Sequence, residues 1–277
     1  MDLGGYVTDW RPGPVHAADE LPPGPAGALS AVFDQASPAG ALPPLWHWLY
    51  FLDWPGQSEL GADGHPRDGH FLPPIPDRRR MFAGGRLEVR RSLELGKRAE
   101  KVSTLGEVAV KQGRTGEMMF VTVRSEFSQD GEVRVVEEQD IVYRSGEDER
   151  RGGLLQLDSA DAPASDAEWQ LDKRPDSRLL FRFSALTANA HRIHYDEPYV
   201  TGVEGYPGLV VHGPLLILLM LELVRDKEVR SLSYRLRKPL FVGEHLRALG
   251  DPAGEGATLR VASGRDERHA TAEVRFA

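Results

Sequence analysis

The chain has 277 residues, a formal net charge of −8 and 40% hydrophobic residues, enough for one long domain or two ordinary ones with a real core. The acidic balance argues against nucleic acid as the main partner, because phosphate binding needs a dense basic face. Cysteine is absent, which excludes disulfides, thiolate metal sites and a cysteine nucleophile and suits a reducing cytoplasm.

The start, MDLGGYVTDWRPGP, has no basic stretch followed by an apolar run, so a cytoplasmic location is expected. Residues 1 to 40 are rich in Pro, Gly and Ala, with a helix-compatible piece from Ala26 to Phe33. In ALPPLWHWLYFLDW, Ala41 to Trp54, the prolines suit a helix start and the aromatics point to a helix or a packed turn. From Gln57 to Arg80 the composition turns to Gly, Pro, His and charge, a long loop that a compact domain carries only if it covers something. His47, His65 and His70 lie in or near it without the spacing of a metal motif, and plain loop and core histidines are favoured; no metal is expected.

After Met81 apolar and polar residues alternate through GRLEVRRSLELG, EKVSTLGEVAVKQ and EMMFVTVRSEFSQDGEVRVVEEQDIVYR. With a Gln129-Asp130-Gly131 turn, this predicts an antiparallel meander ending near Arg144. Ser145 to Ala167 reads as a linker. A second cycle follows: a strand near Trp169 to Leu171, a helix near Leu179 to Leu186, a polar loop, and an apolar helix from Leu215 to Val224. Strands are then expected at Arg230–Leu236, Leu246–Leu249, Thr258–Ser263 and Ala270–Phe276. Leu209 to Val224 is the most apolar window, but His212, Gly213, Pro214 and Glu222 interrupt it, so it is a buried helix and no membrane partner is expected.

Arg91-Ser-Leu-Glu-Leu-Gly96 and Lys238-Pro-Leu-Phe-Val-Gly243 share one pattern, and each precedes a final hairpin. Together with the repeated helix-then-sheet order they suggest a duplicated unit, residues 1–148 and 149–277. The expected class is α+β, each unit laying a helix on an antiparallel sheet.

Reactive side chains concentrate between residues 184 and 213. Asn189 and His194 are five apart, which a loop, though not a helix, brings to one point. Asp196 lies two beyond His194, where its carboxylate either orients the imidazole or caps the following turn. Pro214 suits the first turn of the apolar helix, which leaves the Gly213 N–H unsatisfied at the positive end of the dipole. Such a donor polarises a carbonyl as charge develops on its oxygen. A base, an amide and an oxyanion donor together suit addition or elimination of water at an activated double bond.

SALTANAHRIHYD, then GYPGLVVHGP, then RLRKPLFVGEHL resembles the MaoC-like hydratases, most closely the type 2 hydroxyacyl-thioester dehydratase branch that includes itaconyl-CoA and mesaconyl-C4-CoA hydratases. PPLWHWLYF and RRMFAGGRLEVRR resemble that branch's degenerate first domain. The resemblance implies a double hot-dog fold with each long helix wrapped by a sheet, residues 1–148 forming the degenerate unit and 149–277 the catalytic one. It also implies an acyl-CoA substrate, with CoA as part of the substrate and no separate cofactor. His194 becomes the hydratase histidine and Gly213 the oxyanion donor. Asn189 stands where the broader motif has Asp, and His191-Arg192 where it has Asn-Pro. Asn189 would then hold the water for His194 to activate, with Asp196 or His191 tuning it.

Further candidates are Arg192 for a distal carboxylate, or a solvated loop arginine, and Tyr195, Tyr199 and Tyr206 for the acyl pocket or for packing. His212 either enters the site or fixes the loop to the helix. Arg235, Arg237 and Lys238 either meet CoA phosphates or form a solvated strand face. Three rivals stand beside the hydratase reading: a fatty-acid-synthesis (R)-3-hydroxyacyl-thioester dehydratase, a thioesterase and a non-catalytic acyl-thioester binder. A homodimer is left open.

Overall fold

The structure, a computed structural model, describes residues 2–113, 116–145 and 155–277. In chain order it contains β1 (Val15–Asp19), α1 (Pro23–Val32), a 3-10 turn at Trp46–Leu49, β2 (Arg78–Val89), β3 (Ala99–Gly113), β4 (Gly116–Gln129) and β5 (Glu132–Ser145). The second half follows with β6 (Trp169–Lys173), α2 (Ser177–Leu186), α3 (Glu197–Gly202), α4 (Gly213–Leu221), β7 (Val229–Leu236), β8 (Leu246–Ala253), β9 (Gly256–Ala262) and β10 (Ala270–Phe276). The predicted meander and every predicted C-terminal strand are present. Asp130 and Gly131 both take positive φ, 54° and 78°, as a tight two-residue hairpin turn requires.

The strands form one antiparallel sheet in the order β1-β3-β4-β5-β2-β7-β10-β9-β8-β6. Read outward from the centre, β2-β5-β4-β3-β1 and β7-β10-β9-β8-β6 are the same arrangement, so the duplication suggested by the sequence is visible as topology. The halves meet where β2 pairs with β7, from Gly84 opposite Arg235 to Glu88 opposite Ser231. Gly85 makes that seam possible, because a Cβ there would fall 2.6 Å from the Tyr234 hydroxyl and 2.4 Å from the Glu138 carbonyl. The two halves wrap a shared apolar core that runs from Leu29 and Trp46 through Phe127 to α4 and β7–β10. This is the double hot-dog α+β fold. The unit boundary placed at 148/149, and part of the Ser145–Ala167 linker, lie outside the described residues.

The repeated hexapeptides occupy equivalent places. The Leu42 N–H donates to the Leu93 carbonyl and the Val211 N–H to the Leu240 carbonyl, both at 2.7 Å. Leu95 N–H then reaches Gly40 and Val242 N–H reaches Leu209, so each hexapeptide is bridged to the segment leading into the element its sheet wraps. Gly96 and Gly243 end the two copies at positive φ, 74° and 96°, a backbone state that costs glycine little.

One expectation is corrected. The two halves do not each wrap a long helix: α4 is buried along Leu215–Leu221, whereas its N-terminal counterpart is only the Trp46–Leu49 turn. Leu45 (φ 66°) and Phe51 (φ 54°) are left-handed on either side of that turn, which stops a right-handed helix from propagating. The volume is filled by aromatic bulk instead, with Trp46 against Phe33 at 6.3 Å and Trp48 against Phe82 and Tyr234 at 6.1 and 6.2 Å.

Candidate active site

The site is built where α2 ends and α4 begins. Asp176 caps α2 by accepting the Leu179 N–H at 2.8 Å, and Leu180 and Phe183 bury its apolar face. The helix stops at Thr187, Ala188 turns left-handed (φ 49°), and the chain enters an irregular loop through Asn189–His194. Within it the Asn189 carboxamide oxygen accepts the His191 N–H at 3.0 Å. That bond fixes the carboxamide, whose amide N–H groups are then free to donate to a water.

His194 is buried, and its Nδ1 lies 2.7 Å from the Val210 carbonyl. A carbonyl only accepts, so Nδ1 carries the proton and Nε2 keeps its lone pair. Burial pushes this imidazole down to about 3, against the opposing pull of the Val210 carbonyl. It is therefore a neutral base at physiological pH. Asp196 does not orient it: that carboxylate caps α3 through the Tyr199 N–H and pairs with Arg192.

His212 stacks on His194 with ring centroids 3.6 Å apart and planes 18° apart. It is wholly buried, and its Nε2 is 2.8 Å from the Ser184 hydroxyl of α2. Burial keeps His212 well below the ordinary histidine range. As the N-cap of α4 it makes no side-chain cap bond, and the next residues are Gly213 and Pro214. The first amides of α4 thus precede the start of the helical ladder at Leu216 N–H, and since Pro214 has no N–H the donors there are Gly213 and Leu215, of which Gly213 carries no side chain. A Cβ on Gly213 would lie 2.3 Å from Leu236 Cδ1, so either that methyl or the start of α4 would have to shift to admit a side chain.

In the N-terminal half, by the equivalence of Leu42 with Val211, Pro43 and Pro44 fall at the places of His212 and Gly213. Proline has no N–H. At this place in the duplicated unit, among the described residues, the C-terminal half thus has a glycine amide where the N-terminal half has a proline.

Other candidates fall elsewhere. Arg192 is not a free fork: its Nε and Nη2 meet Asp196 at 2.9 and 2.8 Å, Nη1 meets the Ala62 carbonyl at 2.8 Å, and the guanidinium covers Tyr199 at 4.0 Å. It holds the loop. Tyr199 is buried with its hydroxyl on Glu204, Tyr195 is half exposed with its hydroxyl on the Ala190 carbonyl, and Tyr206 packs on Phe241. Arg235 and Arg237 alternate with the inward Tyr234 and Leu236 along β7, so they point to the outer face, opposite Gly213. There they line a groove of about 350 Å³ with Arg260 and Arg268. Only the far end of a long ligand could meet them.

The long loop between Gln57 and Arg80 does cover something, and its residues are what sequence reasoning missed. Asp63 and His65 pack directly on His191, with the two imidazoles 4.0 Å apart. His47 and His70 do not join them: His47 bonds buried Glu137, and His70 the Gly13 carbonyl. A signal existed in the run Asp63-Gly64-His65-Pro66, where an Asx-type turn binds a histidine locally. Asp63, His65 and His191 bring their ligand atoms within 4.8 Å of one another. Their rings nonetheless lie only 4.0 Å apart, tilted by 37°, whereas two imidazoles on a tetrahedral zinc stand about 5 Å apart, given Zn–N bonds of about 2.0–2.1 Å.

Residues 45–242 match the family described as hydroxyacyl-thioester dehydratase type 2. The chain belongs to that family, which makes it an enzyme of the hydratase and dehydratase class. It is 45% identical over 244 residues to mesaconyl-C(4)-CoA hydratase of Chloroflexus aurantiacus, covering 84% of this chain and 85% of the relative. A mitochondrial hydroxyacyl-thioester dehydratase type 2 of Schizosaccharomyces pombe is 29% identical over 75% of this chain and 77% of its own. The MaoC-like dehydratase of Phytophthora capsici superposes with a TM-score of 0.68 at 11% identity, over 99% of this chain and 98% of that one. Among the described residues no helix is long and apolar enough to cross a membrane.

Proposed function

We propose that the chain hydrates, reversibly, a short branched dicarboxylic α,β-unsaturated acyl-CoA, of the mesaconyl-C4-CoA or itaconyl-CoA type, to a citramalyl-CoA. The observation that carries the chemistry is the fixed tautomer of His194, which leaves Nε2 as a buried neutral acceptor near the uncapped start of α4. In the hydration direction Nε2 takes a proton from water while the oxygen bonds to the β-carbon. Electrons shift onto the thioester oxygen, where the Gly213 N–H meets the charge. The enolate then collapses as Cα takes the proton back from the imidazolium, so the elements of one water are added. Asn189 holds the water through its amide N–H. The scheme draws on no metal or redox group.

The acyl group rests on the 45% identity to a mesaconyl-C(4)-CoA hydratase. Because Arg192 is bound to Asp196, the distal carboxylate needs another cation. Arg80, whose charge acts on both His65 and His191, stands on that side. The S. pombe relative supports a second reading, a 3-hydroxyacyl-thioester dehydratase with a longer apolar acyl chain.

A panel of enoyl-CoAs, followed by loss of the conjugated thioester absorbance, separates the two by chain length and by the distal carboxylate. His194→Ala is expected to lower kcat by about 10² to 10⁴. Turnover by this variant at the wild-type rate overturns the mechanism.

A further inference from the structure

We infer that Asp63 and His65, carried by the N-terminal half, are positioning residues for the reaction in the C-terminal half, where they fix the orientation of His191 beside His194. The inference rests on the role proposed for His194.

Contact between the two loops begins at the backbone. The Arg192 N–H donates to the Asp63 carbonyl at 2.8 Å, and Arg192 Nη1 donates to the Ala62 carbonyl at 2.8 Å. Gly64 lies so close that a Cβ would stand 1.9 Å from the Ala190 carbonyl oxygen, and its φ is 89°. No side chain fits there, so the 61–66 segment is laid flat on the loop that bears His191 and His194.

On this base the side chains form a chain toward the base. Asp63 accepts the His65 backbone N–H and the His65 Nδ1–H, both at 3.0 Å. Burial opposes the charge of Asp63, but the bonds from His65 carry its carboxyl down to about 2, so it is ionised. An ionised carboxylate only accepts; His65 therefore holds its proton on Nδ1 and has one ring orientation. The face of His65 covers His191 at 4.0 Å, and the edge of His191 meets His194 at 5.6 Å with the planes 89° apart. His194 in turn lies on His212, which Ser184 holds. Four imidazoles thus touch in one row, tilted, edge-on and stacked in turn, with a hydrogen-bonded anchor at each end, Asp63 from one half and Ser184 from the other.

This arrangement has a reason in the motif. Beside the proposed base stands an amide, Asn189, where the broader pattern has a carboxylate, and its oxygen accepts the His191 N–H. The charged groups acting on His65 and His191 are Asp63, Arg80 and, for His65, Glu204. Asp63 is the one that bonds an imidazole. A rigid wall beside His194 keeps Nε2 aimed at the water, and a misplacement of about 1 Å costs up to about 100-fold in rate.

The test uses the full chain and the enoyl-CoA that wild type consumes fastest. Asp63→Asn and His65→Phe are expected to lower kcat about tenfold with KM within about twofold, while Asp63→Glu restores most of the rate. His65→Phe keeps a ring against His191 but cannot dock on Asp63, so it separates orientation from filling of space. Nitrogen NMR of the labelled histidines gives a readout independent of turnover: one His65 tautomer in wild type, a mixture in Asp63→Asn. Wild-type kcat in both variants alongside an inactive His194→Ala overturns this inference alone. An active His194→Ala overturns the proposed function, with the NMR result still standing. A stoichiometric first-row metal in the purified protein, lost in His65→Phe, replaces the positioning role by a metal site.

Discussion

The two halves share one topology and differ in what their sheets enclose. In the C-terminal half the sheet wraps α4, an apolar helix buried along Leu215–Leu221 whose first amides are uncapped. In the N-terminal half the same place holds one 3-10 turn and two tryptophans. Its strands are also longer, 14 or 15 residues in β3–β5 against 7 or 8 in β8–β10. They support a second small core around Leu3, Ile75, Met119, Val121 and Tyr143. The proposed chemistry needs a helix start with a free N–H, whereas filling a sheet needs only apolar volume. The N-terminal half has kept the volume and lost the donor, because Pro43 and Pro44 stand at the places of His212 and Gly213.

Substitution at Gly213 gives the largest expected effect on this contrast. Gly213→Ala forces its Cβ against Leu236 Cδ1, which shifts the start of α4 and is expected to cost about 10- to 100-fold in kcat. The double variant with Leu236→Ala should recover part of that rate in the same assay. No recovery would mean that the clash is not the cause.

Acid stability sharpens the contrast next. His194 and His191 are held at about 3, mainly by burial, and His212 is lowered as well. Below about pH 6.5 the unfolded chain binds protons at these histidines that the folded chain does not. Their contribution is thus present above pH 6.5 and is lost as pH falls toward 3. Each such histidine contributes a slope of about 1.4 kcal/mol per pH unit between roughly pH 6 and 4. Urea unfolding at stepped pH reads the slope, and His212→Asn should make it shallower.

The smallest effect belongs to the other half. Pro44→Gly restores an N–H at the counterpart of Gly213, but the histidine that follows it, His47, already has its Nε2 bonded to Glu137. Activity is expected to stay within about twofold, with a stability loss of about 1 kcal/mol from the freer backbone of the unfolded chain. A gain in turnover would show that the N-terminal half can be reactivated by a donor alone.

Much of this was legible from residues. Alternation placed the meander, Asp130-Gly131 placed its turn, and the paired hexapeptides pointed to a duplication that the sheet order displays. His194, Asn189 and Gly213 could be named because they fall in a short segment with recognisable spacing. Of the two readings open for Arg192, the loop arginine fits its contacts, though neither the Asp196 pairing nor the Ala62 carbonyl, 130 residues distant, could be read from the sequence. The role offered to Asp196 at His194 fell to the Val210 carbonyl, a backbone group that leaves no mark on composition.

By itself the sequence determined strands, turns, the apolar helix and the repeat, since each is set by local periodicity and backbone preference over a few residues. Only the tertiary structure decided that the N-terminal half has a mere turn at the place of α4, which nitrogen of His194 is free, and that Asp63 and His65 lie on His191. The tautomer rests on the Val210 carbonyl, 16 residues along the chain from His194, whereas the contact of the two loops joins groups as much as 130 residues apart and is set by how the two halves close on each other at β2 and β7.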